Sequence, residues 1–222
     1  HPVQVGRGQP GLGQGLADQR QQLAHVVAAG QLGLTRLVPR ELILECLEVA
    51  IQAPTGGNTQ RWRWVVVDEP EKKAALADMY RAGWTPYLES QKQLRVQQGL
   101  EADTRVSDSA DYLADHFHEV PAMLIPCLLD RGDGPGYWGS VLPAAWSFML
   151  AARSRGLGTA LTTIHLFKER EAAELLGIPD TVSQAALIPV GYYTGDDFKP
   201  AKRRPAAEIT YWNSWKQTDP GS

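Results

Sequence analysis

Between Ser140 and Arg155 the chain carries a helix-length run with almost no polar face. Val141, Leu142, Ala145, Trp146, Phe148, Met149 and Leu150 cover most of a helical circumference. Pro143 suits the first turn, Arg153 and Arg155 suit the last, and Gly156 stands just past the end. A helix apolar on nearly every side must be buried on several of them. With 222 residues the chain can build one sizeable core but not two independent ones. This helix is therefore expected at the centre of the fold, with surface left over for a second copy of the chain.

Other elements arrange themselves around it. Pro39 suits a helix start, Ile43, Leu47 and Ala50 follow helical spacing, and Glu41, Glu45 and Glu48 mark the opposite face. Trp64–Val67 and Ala122–Leu129 read as buried strands, with Pro126 warning of a bulge or an edge in the second. A further strand is expected over residues 184–193, and helices over 71–81 and 168–176, with Gly83 and Pro86 closing the first. The stretch 84–119 is polar and dotted with aromatics, an excursion of one or two helices more than a second domain. Residues 1–38 form an atypical segment rich in glycine and glutamine, with a helix expected over 17–29. Residues 39–222 form a single domain that ends in an arm over 206–222, where Ile209, Tyr211, Trp212 and Trp215 invite docking on another subunit.

The turn Ala53-Pro54-Thr55-Gly56-Gly57-Asn58-Thr59-Gln60-Arg61-Trp62 joins the first core helix to the first strand. Pro54 stops the helix, and Thr55, Asn58 and Gln60 place hydroxyl and amide groups between two buried elements. Such a turn suits a planar ligand with polar edges, and on these residues alone an ordinary helix-to-strand loop is an equal reading. A second segment, Gly156-Leu157-Gly158-Thr159-Ala160-Leu161-Thr162-Thr163, closes the central helix. It is followed by Leu175-Leu176-Gly177-Ile178-Pro179, then Ala186–Tyr192, then the basic turn Lys199-Pro200-Ala201-Lys202-Arg203-Arg204-Pro205. Taken in this order, the segments resemble the FMN-dependent nitroreductase family over roughly residues 39 to 215.

That resemblance implies an α+β fold: a mixed central sheet flanked by helices, in an intertwined homodimer with FMN between the subunits. It places Pro54, Thr55, Gly56 and Asn58 along the ribityl chain and ring, with Gln60 orienting the loop. Leu161, Thr162 and Thr163 would face the pyrimidine side and N5, and Arg203 would contact the phosphate. On the residues alone Thr162 and Thr163 read first as strand residues, and Arg203 and Arg204 read equally as a solvated charge run. The implied activity is transfer of reducing equivalents from NAD(P)H through FMN to a small planar acceptor such as a nitroaromatic or quinone. Tyr80, Trp84 and Tyr87 are candidates for stacking on that acceptor, or for core packing, and His165, two residues beyond Thr163, is a candidate to approach the flavin or the substrate. The family also carries an arginine cluster before the first core helix, of which only Arg36 survives, and a proline where Arg61 stands. Losing two arginines removes a few kcal/mol of phosphate contact, so a flavin- or ligand-sequestering protein is one alternative. A family member specialised for dehalogenation, flavin cleavage or a deazaflavin cofactor is the other.

Several classes are excluded by what is missing. A net charge of −3 gives no field for nucleic acid or an anionic membrane. No apolar run approaches ~20 residues. The start of the chain lacks the apolar core of a signal peptide, so a cytoplasmic setting is expected. The two cysteines, Cys46 and Cys127, sit in apolar patterns and read as buried reduced thiols. His116 and His118 lack the spacing of a zinc motif, so no metal is expected. The flavin would carry the redox chemistry, and no protein acid–base pair is called for.

Overall fold

A computed structural model describes residues 32–34, 36–99, 104–195 and 203–217. Its two compact units are His25–Asp197, and His1–Ala24 together with Phe198–Ser222. The helix expected over 17–29 lies outside the described residues.

In the larger unit β1 (Leu32–Gly33) precedes α1 (Arg40–Ala50) and β2 (Trp62–Val67). Then come α2 (Pro70–Gln97), α3 (Thr104–His116), β3 (Ala122–Leu129) and the short α4 (Gly134–Trp138). The chain continues through α5 (Val141–Ser154), β4 (Leu157–Thr159), α6 (Glu169–Leu176), β5 (Val182–Gln184) and β6 (Ile188–Tyr193). The strand order is β1-β6-β3-β2, with β4 on β6 and β5 on β3. The α+β class and the helix-flanked central sheet are as expected. Every strand pairing among the described residues is antiparallel, so no parallel pair of a mixed sheet occurs there.

β3 is the middle of the larger unit. Met123, Ile125 and Cys127 pack into one cluster with Leu76, Tyr80, Leu113, Phe117 and Ala172, from α2, α3 and α6 and the turn after α3. Ala122 and Leu124 pack the other way, with Ile43, Cys46 and Leu47 of α1 and Phe148, Met149 and Ala152 of α5. Alternate side chains of a strand point to opposite faces. Helices on both faces thus explain why Ala122–Leu129 is continuously apolar.

Pro126 corrects one expectation and meets another. β3 is not an edge strand. Pairing with β6 sets Leu124 opposite Ile188, and pairing with β5 sets Cys127 opposite Gln184. Three residues, 185–187, therefore face two, Ile125 and Pro126. The bulge lies on the partner, opposite the residue that has no N–H to give, and it divides the single strand expected over 184–193. Ala185 N donates to the Pro126 carbonyl at 2.8 Å, so the oxygen is still used.

α2 is the second correction. Gly83 and Pro86 do not close it; the helix runs on to Gln97. Gly83 is a point of close approach instead: a Cβ there would stand 2.9 Å from Ile164 Cγ2 and 3.0 Å from the Ile164 carbonyl oxygen. α5 matches its expected span within a residue and is followed by Gly156 at φ 80°. Its Ala144, Ala145, Phe148, Met149 and Ala152 are buried, while Leu142 and Trp146 remain 38% and 42% exposed. Among the described residues no helix is long and apolar enough to cross a membrane.

In the smaller unit a 3-10 turn at Ala206–Ile209 precedes a knot of aromatics. Tyr211 meets Trp215 edge-on at 5.0 Å between ring centroids. Ile209, Trp212 and Trp215 are exposed.

Candidate flavin-binding site

The turn between α1 and β2 holds itself in shape. Gly57, Asn58 and Gln60 adopt left-handed backbone at φ 57°, 52° and 47°. Asparagine tolerates that region because its short polar side chain bonds locally, whereas glutamine needs support. The support is on hand. Gln60 N donates to Thr55 Oγ1 at 3.3 Å, Gln60 Nε2 donates to Asn58 Oδ1 at 3.1 Å, and Arg63 Nη1 donates to the Gln60 carbonyl at 3.3 Å. Asn58 N donates to the Thr55 carbonyl at 3.0 Å. Pro54, Gly56, Asn58 and Gln60 are exposed and Thr55 is half-buried.

Arg61, where the resemblance called for proline, pairs with Asp130 at the end of β3. Its carbonyl accepts from Leu129 N at 3.0 Å. The exit of the turn is thus pinned to the central strand through both backbone and side chain.

The second segment is a continuation of β4. Thr159 pairs with Val190 on β6, and Thr162 opposite Leu187 keeps the same register. Thr162 exchanges both backbone hydrogen bonds with Leu187, at 3.1 and 2.8 Å, and its hydroxyl donates to the Leu187 carbonyl at 2.7 Å. Its donors are spent on anchoring, so Leu161 and Thr163, both exposed, are the members free to meet a ligand. The turn leads into β2 and this segment lies along β6, with β3 between those two strands. The two halves of the expected site are not neighbours in the sheet of one chain.

Arg36 is exposed, with its guanidinium carbon 3.7 Å from the centroid of the Tyr192 ring. A cation stacked on an aromatic face keeps its hydrogen-bond donors at the rim. Arg203 belongs to the smaller unit, on the exposed stretch just before the 3-10 turn Ala206–Ile209.

Tyr80, Trp84 and Tyr87 form an aromatic ladder on α2. Tyr80 is only 3% exposed, tilts against Phe117 at 4.5 Å and stacks with Trp84 at 6.2 Å. Burial, and then Tyr87, push its phenol up to about 12. Trp84 meets Tyr87 at 5.6 Å, and Tyr87 is exposed. The ladder therefore runs from core to surface, and its open end is Tyr87 with the rim of Trp84. Asp111 of α3 accepts from Trp84 Nε1 at 2.8 Å, a contact the sequence did not announce.

His165 is fully buried, and neither ring nitrogen has a hydrogen-bond partner among the described residues. Desolvation pulls its pKa down to about 4, against the raising influence of Gln184 and Glu169. Gln184 donates from Nε2 to the Glu169 carbonyl at 2.9 Å, and its own Oε1 is unpartnered. The imidazole is a neutral core group, not an exposed ligand contact.

Both thiols are free and buried, and burial pushes the Cys127 thiol up to about 12 and raises that of Cys46. They are poor nucleophiles. Among the described residues no group of three or more histidine, cysteine or acidic side chains could hold a metal.

The sequence profile of the nitroreductase family matches residues 33–192. The chain belongs to the nitroreductase family. An iodotyrosine deiodinase of Thermotoga neapolitana is 27% identical over 173 residues, covering 78% of this chain and 87% of that one. A crystal structure of an oxidised iodotyrosine deiodinase bound to FMN and 3-iodo-L-tyrosine superposes with a TM-score of 0.62 at 22% identity, covering 84% of this chain and 94% of that one. An FMN and NADPH-dependent nitroreductase from Sphigopyxis sp. strain HMH gives 0.65 at 21% identity, covering 88% and 98%. At these identities the two superpositions speak for the fold.

Proposed function

We infer that this chain is an FMN-dependent oxidoreductase that passes reducing equivalents from NAD(P)H to a small planar acceptor such as a nitroaromatic or quinone, working as a cytoplasmic homodimer. What carries the reading is the Thr55–Gln60 turn, whose left-handed backbone and internal hydrogen bonds hold polar groups in one arrangement on an exposed surface. A turn that only reverses the chain has no need of a non-glycine residue such as Gln60 at φ 47°.

The donor set suits FMN. Asn58 and the Thr55 hydroxyl offer contacts for a ring edge and ribityl chain, and Leu161 and Thr163 offer an exposed backbone edge and an apolar side chain. Arg36 is the cation of this unit for the phosphate. Bound FMN supplies the two-electron carrier that links a nicotinamide to an acceptor. The chain's residues supply orientation. Thr162 fixes the 161–163 segment against Leu187, and the Arg61–Asp130 pair fixes the exit of the turn. Tyr87 and the rim of Trp84 offer a stacking surface for the acceptor.

Two features support dimerisation. The Asn58 turn and the 161–163 segment belong to strands separated by β3, and a second chain can supply one half to the other. The α5 face left open at Leu142 and Trp146 is a place for that chain to pack. Buried reduced thiols fit the reducing cytoplasm.

A second reading, reductive dehalogenation of a halogenated phenol, is favoured by the 27% identity to a deiodinase along 87% of its length. One set of assays separates the readings. The purified protein is titrated with FMN and freed of excess, and its visible spectrum is recorded. NAD(P)H oxidation with a nitroaromatic, and iodide release from 3-iodotyrosine under dithionite, are then measured. Retained flavin with nitroaromatic-dependent NAD(P)H oxidation supports the first reading. Iodide release without it supports the second, and failure to retain flavin overturns both.

A further inference from the structure

We propose that the open end of the aromatic ladder on α2, together with Asp108 and Asp111 of α3, selects an aromatic acceptor that carries a positive charge close to its ring, such as a protonated benzylic amine. This rests on the flavin-dependent reading above and names the class of acceptor for it.

Two contacts set the register between the helices. Arg81 Nη1 donates to the Asp115 carbonyl at 3.4 Å, and Trp84 Nε1 donates to Asp111 Oδ1 at 2.8 Å. As α2 runs forward between these contacts α3 runs back, so the pair is antiparallel and, one turn further on, Tyr87 comes level with Asp108. Asp108, Asp111 and Asp115 stand at i, i+3 and i+7, on one face of α3. Two carboxylates therefore stand beside the exposed end of the ladder, Tyr87 and the rim of Trp84. An acidic helix face is usually a solvated one, and two observations set this one apart. Asp111 is half-buried against the indole, two turns into α3, where the helix dipole no longer favours a negative charge. Among the described residues no cation is paired with Asp108 or Asp111, and Asp111 Oδ2 accepts no hydrogen bond. Cations on α2 and on the turn against Gly83 are committed elsewhere: Arg81 to Asp78, Lys92 to Glu89 and Lys168 to Glu171. A carboxylate partly withdrawn from water without a counter-ion costs free energy that a ligand cation recovers. The rings add to the attraction, because an aromatic face is its negative side and holds a cation within about 6 Å of its centroid. The site thus offers stacking for a ring and negative charge for its substituent.

A series of similar size separates charge from stacking: para-nitrobenzylamine, which is cationic at neutral pH, para-nitrobenzyl alcohol and para-nitrobenzoate. For each, kcat/KM with NAD(P)H is measured on the flavin-loaded protein, and affinity is measured by calorimetry on the protein as isolated, without NAD(P)H. The amine is expected to exceed the benzoate by about tenfold in both, with the alcohol between them and the spread shrinking as salt is raised. Asp111→Asn keeps an acceptor for Trp84 Nε1 and removes the charge. Asp108→Asn removes the other charge at an exposed position where folding is not at stake. Each should cut the amine-to-benzoate ratio about threefold, and the double variant should bring it close to unity. Equal values across the series in the wild type, a preference for the benzoate, or a ratio kept in the double variant overturns the assignment. A wild-type protein that takes up no flavin, or reduces none of the three compounds, sinks the flavin reading instead, and the calorimetric ranking still decides the charge preference.

Discussion

His165 shows what a single side chain can cost at acid pH. Its folded pKa of about 4 lies below the ordinary value near 6.5, chiefly because burial penalises the charged form. An unfolded chain binds a proton at this residue from about pH 6.5 downward, and the folded one does not until about pH 4. The stabilisation is therefore complete above pH 6.5 and is lost as pH falls toward 4, by roughly 3 kcal/mol. Urea unfolding at stepped pH should show this slope in the wild type and a shallower one in His165→Gln; equal slopes would remove His165 from the account. Lys73 makes the opposite use of a charge. It is 8% exposed and donates from Nζ to the carbonyls of Val120 at 2.7 Å and Pro121 at 3.4 Å, tying α2 to the entry of β3. Lys73→Met keeps the stem and orphans those oxygens, so a loss of about 1–3 kcal/mol in urea is expected. A change below about 0.5 kcal/mol would mean that water replaces the ammonium at no cost. At this scale the kinds of residue in the turn were legible: Thr55, Asn58 and Gln60 announce polar groups in a reversal. Their partners were not legible, because Gln60 reaches Thr55 and Asn58 only through three left-handed residues, Gly57, Asn58 and Gln60, the last of which local preference would not place there.

Among the elements, those with a complete local signature were readable in advance. α5 has its proline, its terminal arginines and its glycine, and β3 has an unbroken apolar run bounded by turns. α2 was misjudged because Gly83 and Pro86 are helix breakers by local preference, while packing decides otherwise. Gly83 faces the 3-10 turn Ile164–Lys168 so closely that any side chain would collide with it. Gly83→Ala tests this. In an open helix the change would stabilise by about 1 kcal/mol. Here the new methyl meets Ile164 Cγ2 at 2.9 Å, the Ile164 carbonyl oxygen at 3.0 Å and Phe167 Cδ2 at 3.1 Å. The carbonyl cannot rotate aside without moving the backbone just beyond Thr163. A net destabilisation of about 1–3 kcal/mol is expected by thermal or urea unfolding, with weaker flavin retention as the 161–163 segment shifts. Stabilisation would show that the two elements separate easily and that the glycine serves another end. The divided strand β5–β6 was missed for a related reason, since the bulge answers a proline on a different strand.

For the molecule as a whole, the apolar circumference of α5 was the best guide, and the structure leaves part of it unsatisfied. Leu142 and Trp146, one turn apart on the same side of the helix, are 38% and 42% exposed, and Leu44 and Val49 on α1 are 59% and 42% exposed. A stable dimer buries about 1,200–2,000 Å² in total, and aromatic side chains at its centre carry much of the binding energy. Trp146 is the natural anchor of such a patch. Trp146→Glu places a charge where a second chain would exclude water, and the folded monomer tolerates it because that face is already solvated. Sedimentation equilibrium should therefore give twice the chain mass for the wild type and the chain mass for the variant at micromolar concentration. Because the Asn58 turn and the 161–163 segment sit on strands that β3 keeps apart, the variant should lose FMN along with its partner, with its circular dichroism and unfolding transition retained. A wild-type monomer that binds FMN would place the whole site within one chain and refute the shared-site arrangement. A dimeric variant with full flavin content would move the interface away from α5.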